Sequence, residues 1–135
     1  MKTLVIMLLD NYFAKKDLSF TDLMNLISSL KVSDNQKKVM TGLLEIGHGK
    51  TVSYSEFAEK IAKKSQVRSI ATLIGKNPLP VIVPCHRIIR KSGEIGNYIL
   101  GSEIKQELID FERGILKVVK PATIEVVKDF YSDFK

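Results

Sequence analysis

The sequence predicts a mainly α, winged helix-turn-helix-like domain with a short strand or hairpin at its reactive centre. Three observations support this. Apolar residues recur at helical spacing through the first half. Two short helical stretches joined by a polar turn lie between Ser53 and Ile74. Finally, Asn77-Pro78-Leu79-Pro80 breaks the helical pattern and sends the chain along an extended path to its single cysteine. At 135 residues, 44% apolar and 27% charged, the chain is long enough to bury one core and has the composition of an ordinary globular domain.

The opening Met1–Leu9 resembles the start of a signal peptide. Its apolar run stops at Asp10, however, and no small-x-small cleavage site precedes Lys15-Lys16. It is also too short to span a bilayer, which excludes a membrane partner through this segment. We read it as a packed N-terminal element. The absence of cysteine pairs points to a reducing interior, the cytoplasm, rather than secretion.

Leu18-Ser19-Phe20-Thr21 leads into a helical stretch through Leu23, Leu26, Ile27 and Leu30. Ser33 or Asp34 then caps a helix with apolar positions Val39, Met40, Leu43, Leu44 and Ile46, ended by Gly47-His48-Gly49. Ser53-Tyr54-Ser55-Glu56 is a capping box that opens a short helix through Phe57, Ala58 and Ile61. The next helix carries Val67, Ile70, Ala71 and Ile74 on one face, which leaves Arg68, Ser69 and Thr72 on the other. This pair is a helix-turn-helix candidate.

After the break at 77–80, Val81-Ile82-Val83 reads as a short buried strand delivering Pro84-Cys85-His86-Arg87 and Ile88-Ile89. Lys91-Ser92-Gly93-Glu94 has turn chemistry. A last core helix begins near Ser102 and buries Ile104, Leu108 and Phe111. Beyond it, Leu116-Lys117-Val118-Val119 is strand-like and Pro121 begins a further helix. The expected organisation is a residual N-terminal segment over 1–32, a main domain over 33–114 and a C-terminal extension over 115–135.

A solitary cysteine makes no disulfide and completes no zinc cluster, so it is either buried filler or a reactive thiol. Cys85 stands beside His86 and Arg87, and positive charge with a nearby imidazole favours a thiolate. The net charge of +6 leans toward polyanions without identifying one.

The run Asn77-Pro78-x5-Pro84-Cys85-His86-Arg87-Ile88-Ile89-x3-Gly93-x2-Gly96-Asn97-Tyr98-x2-Gly101-x3-Lys105 resembles the signature of the 6-O-alkylguanine-DNA alkyltransferases, the methylated-DNA–protein-cysteine methyltransferases. Val52-Ser53-Tyr54 and Arg68-Ser69-Ile70 extend the likeness upstream, so that it runs from about Lys38 to Glu112. The resemblance implies direct-reversal DNA repair, in which the alkyl group on O-6 of guanine passes irreversibly to Cys85 in a single turnover. It implies Cys85 as nucleophile, His86 as base through a bridging water, Glu112 as the residue that orients His86, and Tyr54 as proton donor to the leaving guanine and phosphate contact. Tyr98 would line the guanine pocket, Asn77 would brace the turn beneath it, and Lys105 would stand nearby.

The partner implied is double-stranded DNA containing 6-O-alkylguanine. The DNA would be bound through the minor groove, with the nucleotide flipped out and Arg68 filling the vacated stack. Ser69, Thr72 and Arg87 would add DNA contacts, and Lys63, Lys64, Lys76, Arg90 and Lys91 are further phosphate candidates. No cofactor and no metal is implied, and the protein is expected to be a monomer.

The chain departs from the family in three places. The N-terminal sheet domain is largely absent, which leaves room for a fused or trans-acting partner domain. Gln66, Val67 and Ala71 make the recognition helix bulkier than the Ala or Gly usual there. The tail beyond Gly114 has no counterpart and is either a substitute buttress or a linker. The alternative reading is a non-catalytic alkylated-DNA recognition module, which the presence of Cys85 disfavours. A thiol hydrolase is disfavoured because adjacent residues of an extended segment point to opposite sides, separating Cys85 from His86.

Overall fold

A computed structural model describes residues 1–134. In chain order the elements are α1 (Lys2–Phe13), α2 (Phe20–Ser29), α3 (Asp34–Leu43), β1 (Val52–Ser53), α4 (Tyr54–Ile61), α5 (Val67–Gly75), β2 (Ile88–Ile89), α6 (Ser102–Glu112) and α7 (Pro121–Phe130). No helix among the described residues is long and apolar enough to cross a membrane.

Local chemistry explains several helix starts. The Ser19, Ser33 and Ser53 hydroxyls accept from the amides of Asp22, Gln36 and Glu56, and each cap contributes about 1 kcal/mol. At Ser53 the box is complete, since Glu56 accepts the Ser53 amide in return. Helix α3 stops at Leu43, three residues before the apolar pattern does. Leu44–Ile46 continue as tight turns whose amides bond Thr41, Gly42 and Leu43, so the period outlasts the helix.

The core runs continuously through the molecule. Helix α1 contributes Val5, Leu8, Leu9 and Tyr12, a single i, i+3, i+4, i+7 face. The opening segment that resembles a secretory signal is thus a packed helix. Helix α3 packs on α2, α4 and α5, and at Gly42 an added Cβ would lie 2.8 Å from Ile61, so a side chain there would force α3 off α4. Helices α4 and α5, joined by a short 3-10 turn over Lys64–Gln66, form the helix-turn-helix pair. Phe57, Ala58, Ile70 and Ile74 are buried, while Arg68, Ser69 and Thr72 are exposed. The Ser69 and Thr72 hydroxyls bond the carbonyls of Gln66 and Arg68.

The active-site segment differs from the strand and hairpin expected from sequence. Residues 81–83 are not a strand. Val81 has φ +75°, an uncommon backbone for a β-branched residue, and only an isolated bridge joins Pro80 to Val83. Cys85–Arg87 form a 3-10 turn rather than extended chain. The strand proper is β2, which pairs with β1 in parallel, Val52 with Ile88 and Ser53 with Ile89. Parallel strands cannot be joined by a tight turn, so the unit is no hairpin: α4, α5 and the turn cross between its two strands. Leu116–Val118 likewise form bends rather than a strand, and Val119, which follows them, is buried while Val118 is exposed. Pro121 does open a helix, at its first turn, where a missing N–H costs nothing.

Candidate active site

Pairing of β2 with β1 sets the start of α4, and with it Tyr54, alongside the segment that carries Cys85. Beneath that segment, Asn77 is fully buried. Its Nδ2 donates to the Val83 carbonyl at 3.0 Å and its Oδ1 accepts the Leu79 amide at 3.0 Å, so one side chain ties both ends of the turn. The Cys85 amide bonds the Val83 carbonyl at 2.8 Å, and the side chain is 4% exposed. Burial pushes its thiol up to about 11, against the pull of the Asn77 hydrogen bond and the positive charge of Lys105.

His86 is completely buried, its ring edge-on to Tyr12 and to Tyr98 with centroids 6.2 and 6.3 Å away. Its Nε2 lies 2.5 Å from Glu112 Oε2 at the end of α6. Glu112 also accepts the Tyr12 hydroxyl on Oε2 at 2.5 Å, Arg87 Nε on Oε1 at 2.7 Å, and the Gly49 amide on Oε1 at 3.4 Å. Burial opposes a charged Glu112, but the bonds and charges of His86 and Arg87 outweigh it and hold the carboxyl well below its ordinary range. A carboxylate with these donors fixes the tautomer of His86: Nε2 carries the proton and Nδ1 the lone pair. Nδ1 is buried and meets no partner among the described residues. Burial also lowers the His86 pKa, despite Glu112.

Arg87 is not where the sequence reading puts it. Its guanidinium turns inward to Glu112 and to the Ile46 carbonyl, the latter at 2.6 Å, and the residue is 9% exposed. A buried carboxylate needs a charged partner, and Arg87 is that partner rather than a phosphate contact. Gly49 approaches from the other side at φ +81°, with an added Cβ 3.3 Å from the Glu112 carbonyl, so a side chain there would be both strained and crowded.

Tyr98 is half-buried, with its hydroxyl inside and without a hydrogen-bond partner among the described residues. Lys105 is 1% exposed; its Nζ donates to the Asn97 carbonyl at 3.2 Å, and burial lowers its pKa to about 8. It is an inward-facing cation near Cys85, unlike an ordinary helical lysine. Negative charge on Cys85 reaches the hydroxyls of Tyr54, Tyr98 and Tyr131, each of which burial, and then that charge, makes less acidic. The site therefore unites Cys85, His86, Glu112, Asn77, Tyr98 and Lys105, with Tyr54 half-buried at its edge. The exposed Arg68, Ser69 and Thr72 lie apart, on α5.

Sequence reasoning passes over Tyr12 and Tyr131. Both were signalled by period: Tyr12 follows Val5, Leu8 and Leu9 on the inner face of α1, and Tyr131 follows Thr123 and Val127 at i+8 and i+4. A tyrosine on an apolar stripe needs a partner for its hydroxyl.

Comparison with known proteins gives the family of the fold that carries this site. Residues 34–114 match the family model of the 6-O-methylguanine DNA methyltransferase DNA-binding domain. A probable methylated-DNA–protein-cysteine methyltransferase of Acanthamoeba polyphaga mimivirus is 41% identical over 78% of this chain and 68% of its own length. The methylated-DNA–protein-cysteine methyltransferase of Sulfolobus acidocaldarius is 36% identical over 76% of this chain and 62% of its own. The inducible enzyme of Bacillus subtilis is 44% identical, but the match spans only 44% of its length. Among solved structures, Mycobacterium tuberculosis OGT in complex with DNA superimposes with a TM-score of 0.70 at 29% identity, covering 91% of this chain and 73% of that one. The chain belongs to the 6-O-methylguanine DNA methyltransferase family.

Proposed function

We propose that this protein repairs DNA by accepting the alkyl group of 6-O-alkylguanine on Cys85, once per molecule. The observation that carries this reading is the 2.5 Å contact between Glu112 and His86, which leaves Nδ1 of His86, the residue next to Cys85 in the chain, without a partner among the described residues. Family membership supplies the substrate class.

The thiol proton passes to His86 Nδ1 through a bridging water, and the imidazolium is held by Glu112. The Cys85 sulfur then forms a bond to the alkyl carbon as the bond from that carbon to O-6 breaks. The electron pair stays with guanine, and the Tyr54 hydroxyl donates a proton to the departing base. Tyr54 is reprotonated from solvent and His86 releases its proton there, so the net exchange is a thiol hydrogen for an alkyl group. The thioether formed has no leaving group, so the protein is spent.

Because Cys85 is buried, the nucleotide must be extruded from the duplex to meet it, at a few kcal/mol of unstacking. Arg68 on the exposed face of α5 fills the gap from the minor groove, with Ser69 and Thr72 beside it. Tyr98 and Lys105 face the extruded base. The protein acts as a monomer, in the cytoplasm or wherever the cell keeps its DNA.

The test is conversion of the lesion. A duplex carrying one 6-O-methylguanine, incubated with an equal amount of protein and digested to nucleosides, should return unmodified guanine in proportion to protein added. Tight, selective binding of the lesion with the methylated base intact would instead indicate a recognition module.

A further inference from the structure

The C-terminal segment lies beyond the matched residues 34–114, yet it is tied to the body at several points. Glu107 accepts the Lys120 amide at 2.8 Å and the Thr123 hydroxyl at 2.6 Å. Lys128 pairs with Asp10 at 2.8 Å, and Lys2 donates to the Ser132 carbonyl at 2.6 Å. These anchors set α7 against α1 and α6. At the end of α7, Tyr131 is 1% exposed, and its hydroxyl donates to the Pro80 carbonyl at 2.6 Å, across 51 residues of sequence.

Pro80 directly precedes Val81, whose φ of +75° is unfavourable for a branched side chain. Such a conformation persists only where its surroundings over-determine it. Within the turn, Asn77 binds the Val83 carbonyl and the Leu79 amide, and the Val83 amide bonds the Leu79 carbonyl at 2.8 Å. The bond from Tyr131 reaches this turn from a distant element, α7. Since the Cys85 amide hangs on the Val83 carbonyl, the position of this turn is the position of the nucleophile.

We propose that Tyr131 is a positioning residue for alkyl transfer: from α7 it holds, through the Pro80 carbonyl, the strained turn that carries Cys85. The C-terminal segment is then part of the working site and not a linker. The inference rests on the transfer reaction proposed above. A misplacement of the nucleophile by a fraction of an ångström is costly in a displacement at carbon, where sulfur, carbon and oxygen must be in line.

The test compares wild type, Tyr131→Phe and Glu125→Ala. Tyr131→Phe keeps the ring that fills the core and removes only the hydroxyl; Glu125→Ala changes an exposed residue of α7 and leaves its anchors and the turn alone. On a duplex with one 6-O-methylguanine, Tyr131→Phe should react about tenfold more slowly than wild type. Its affinity for undamaged duplex should be unchanged, and Glu125→Ala should react at the wild-type rate. Hydrogen exchange should quicken in Tyr131→Phe at the Val83 and Cys85 amides more than in α5. A wild-type rate for Tyr131→Phe, or faster exchange spread evenly over the helices, would overturn the proposal. Failure of wild type itself to transfer would overturn the reaction beneath it, while the exchange comparison would still decide whether Tyr131 holds the turn.

Discussion

Tyr12 and Glu112, a hundred residues apart, meet in a 2.5 Å hydrogen bond on the same carboxylate oxygen that faces His86. The N-terminal helix therefore reaches into the site. By donating to Oε2, Tyr12 takes up part of the charge that would otherwise stabilise an imidazolium at His86.

Tyr12→Phe should accordingly have two effects of different kinds. Loss of a charge-assisted bond should cost about 2 kcal/mol in denaturant unfolding. Glu112 would then attract the His86 proton more strongly, so the acid limb of the transfer rate should move to higher pH. A stability loss with an unmoved pH profile would make Tyr12 a packing residue only.

Stability should fall as the pH drops below neutrality. Burial lowers the His86 pKa, so below the unfolded value of 6.5 the unfolded chain takes up a proton that the native state resists. Glu112 is held below its usual 4.5, so further acidification protonates the unfolded chain first here too. Each such group limits the slope to about 1.4 kcal/mol per pH unit. On the alkaline side two shifts oppose: Lys105, lowered from 10.5 to about 8, adds stability as the pH rises through 8, while Cys85, raised from 9.0 to about 11, loses it above 9.0 as the unfolded chain ionises first. Urea midpoints measured across pH 4–10 would check the signs.

The thiol of the free protein should be sluggish. With burial raising the Cys85 thiol to about 11, few molecules carry a thiolate at pH 7, so alkylation by iodoacetamide should rise steadily with pH. Transfer from damaged DNA, assisted by His86, should be far less dependent on pH around neutrality. Equal pH dependence of the two reactions would remove the role assigned to His86.

Arg68→Ala should separate DNA handling from chemistry. The side chain is exposed on α5, away from the buried network, so stability should change by less than about 0.5 kcal/mol. Transfer from duplex should slow by at least tenfold, while reaction with the free base 6-O-benzylguanine should be unaffected. Equal losses on both substrates would place Arg68 in the chemical step.

Much of this was legible in the chain because the cues are local. Serine caps, helical periods and Pro121 define most helices, and the Pro-Cys-His-Arg run with its glycines and tyrosine carries the family likeness. What was hidden depends on distant partners. Arg87 reads as a surface cation until Glu112 and the Ile46 carbonyl are seen to enclose it. The run Val81-Ile82-Val83 has strand composition, but Asn77 ties the segment into a turn in which Val81 takes positive φ. Parallel pairing of β1 with β2 cannot be inferred from either dipeptide alone. The same holds for Tyr131, whose hydrogen-bond partner lies 51 residues earlier.

The central claim, that Cys85 itself receives the alkyl group, is tested most directly by intact mass. Wild type and Cys85→Ser would each be incubated with an equal amount of duplex carrying one 6-O-methylguanine. The account predicts that wild type gains one methyl in place of one hydrogen, that peptide mapping places it on Cys85, and that Cys85→Ser gains nothing. An unchanged wild-type mass, or a methyl group on any other residue, would contradict it.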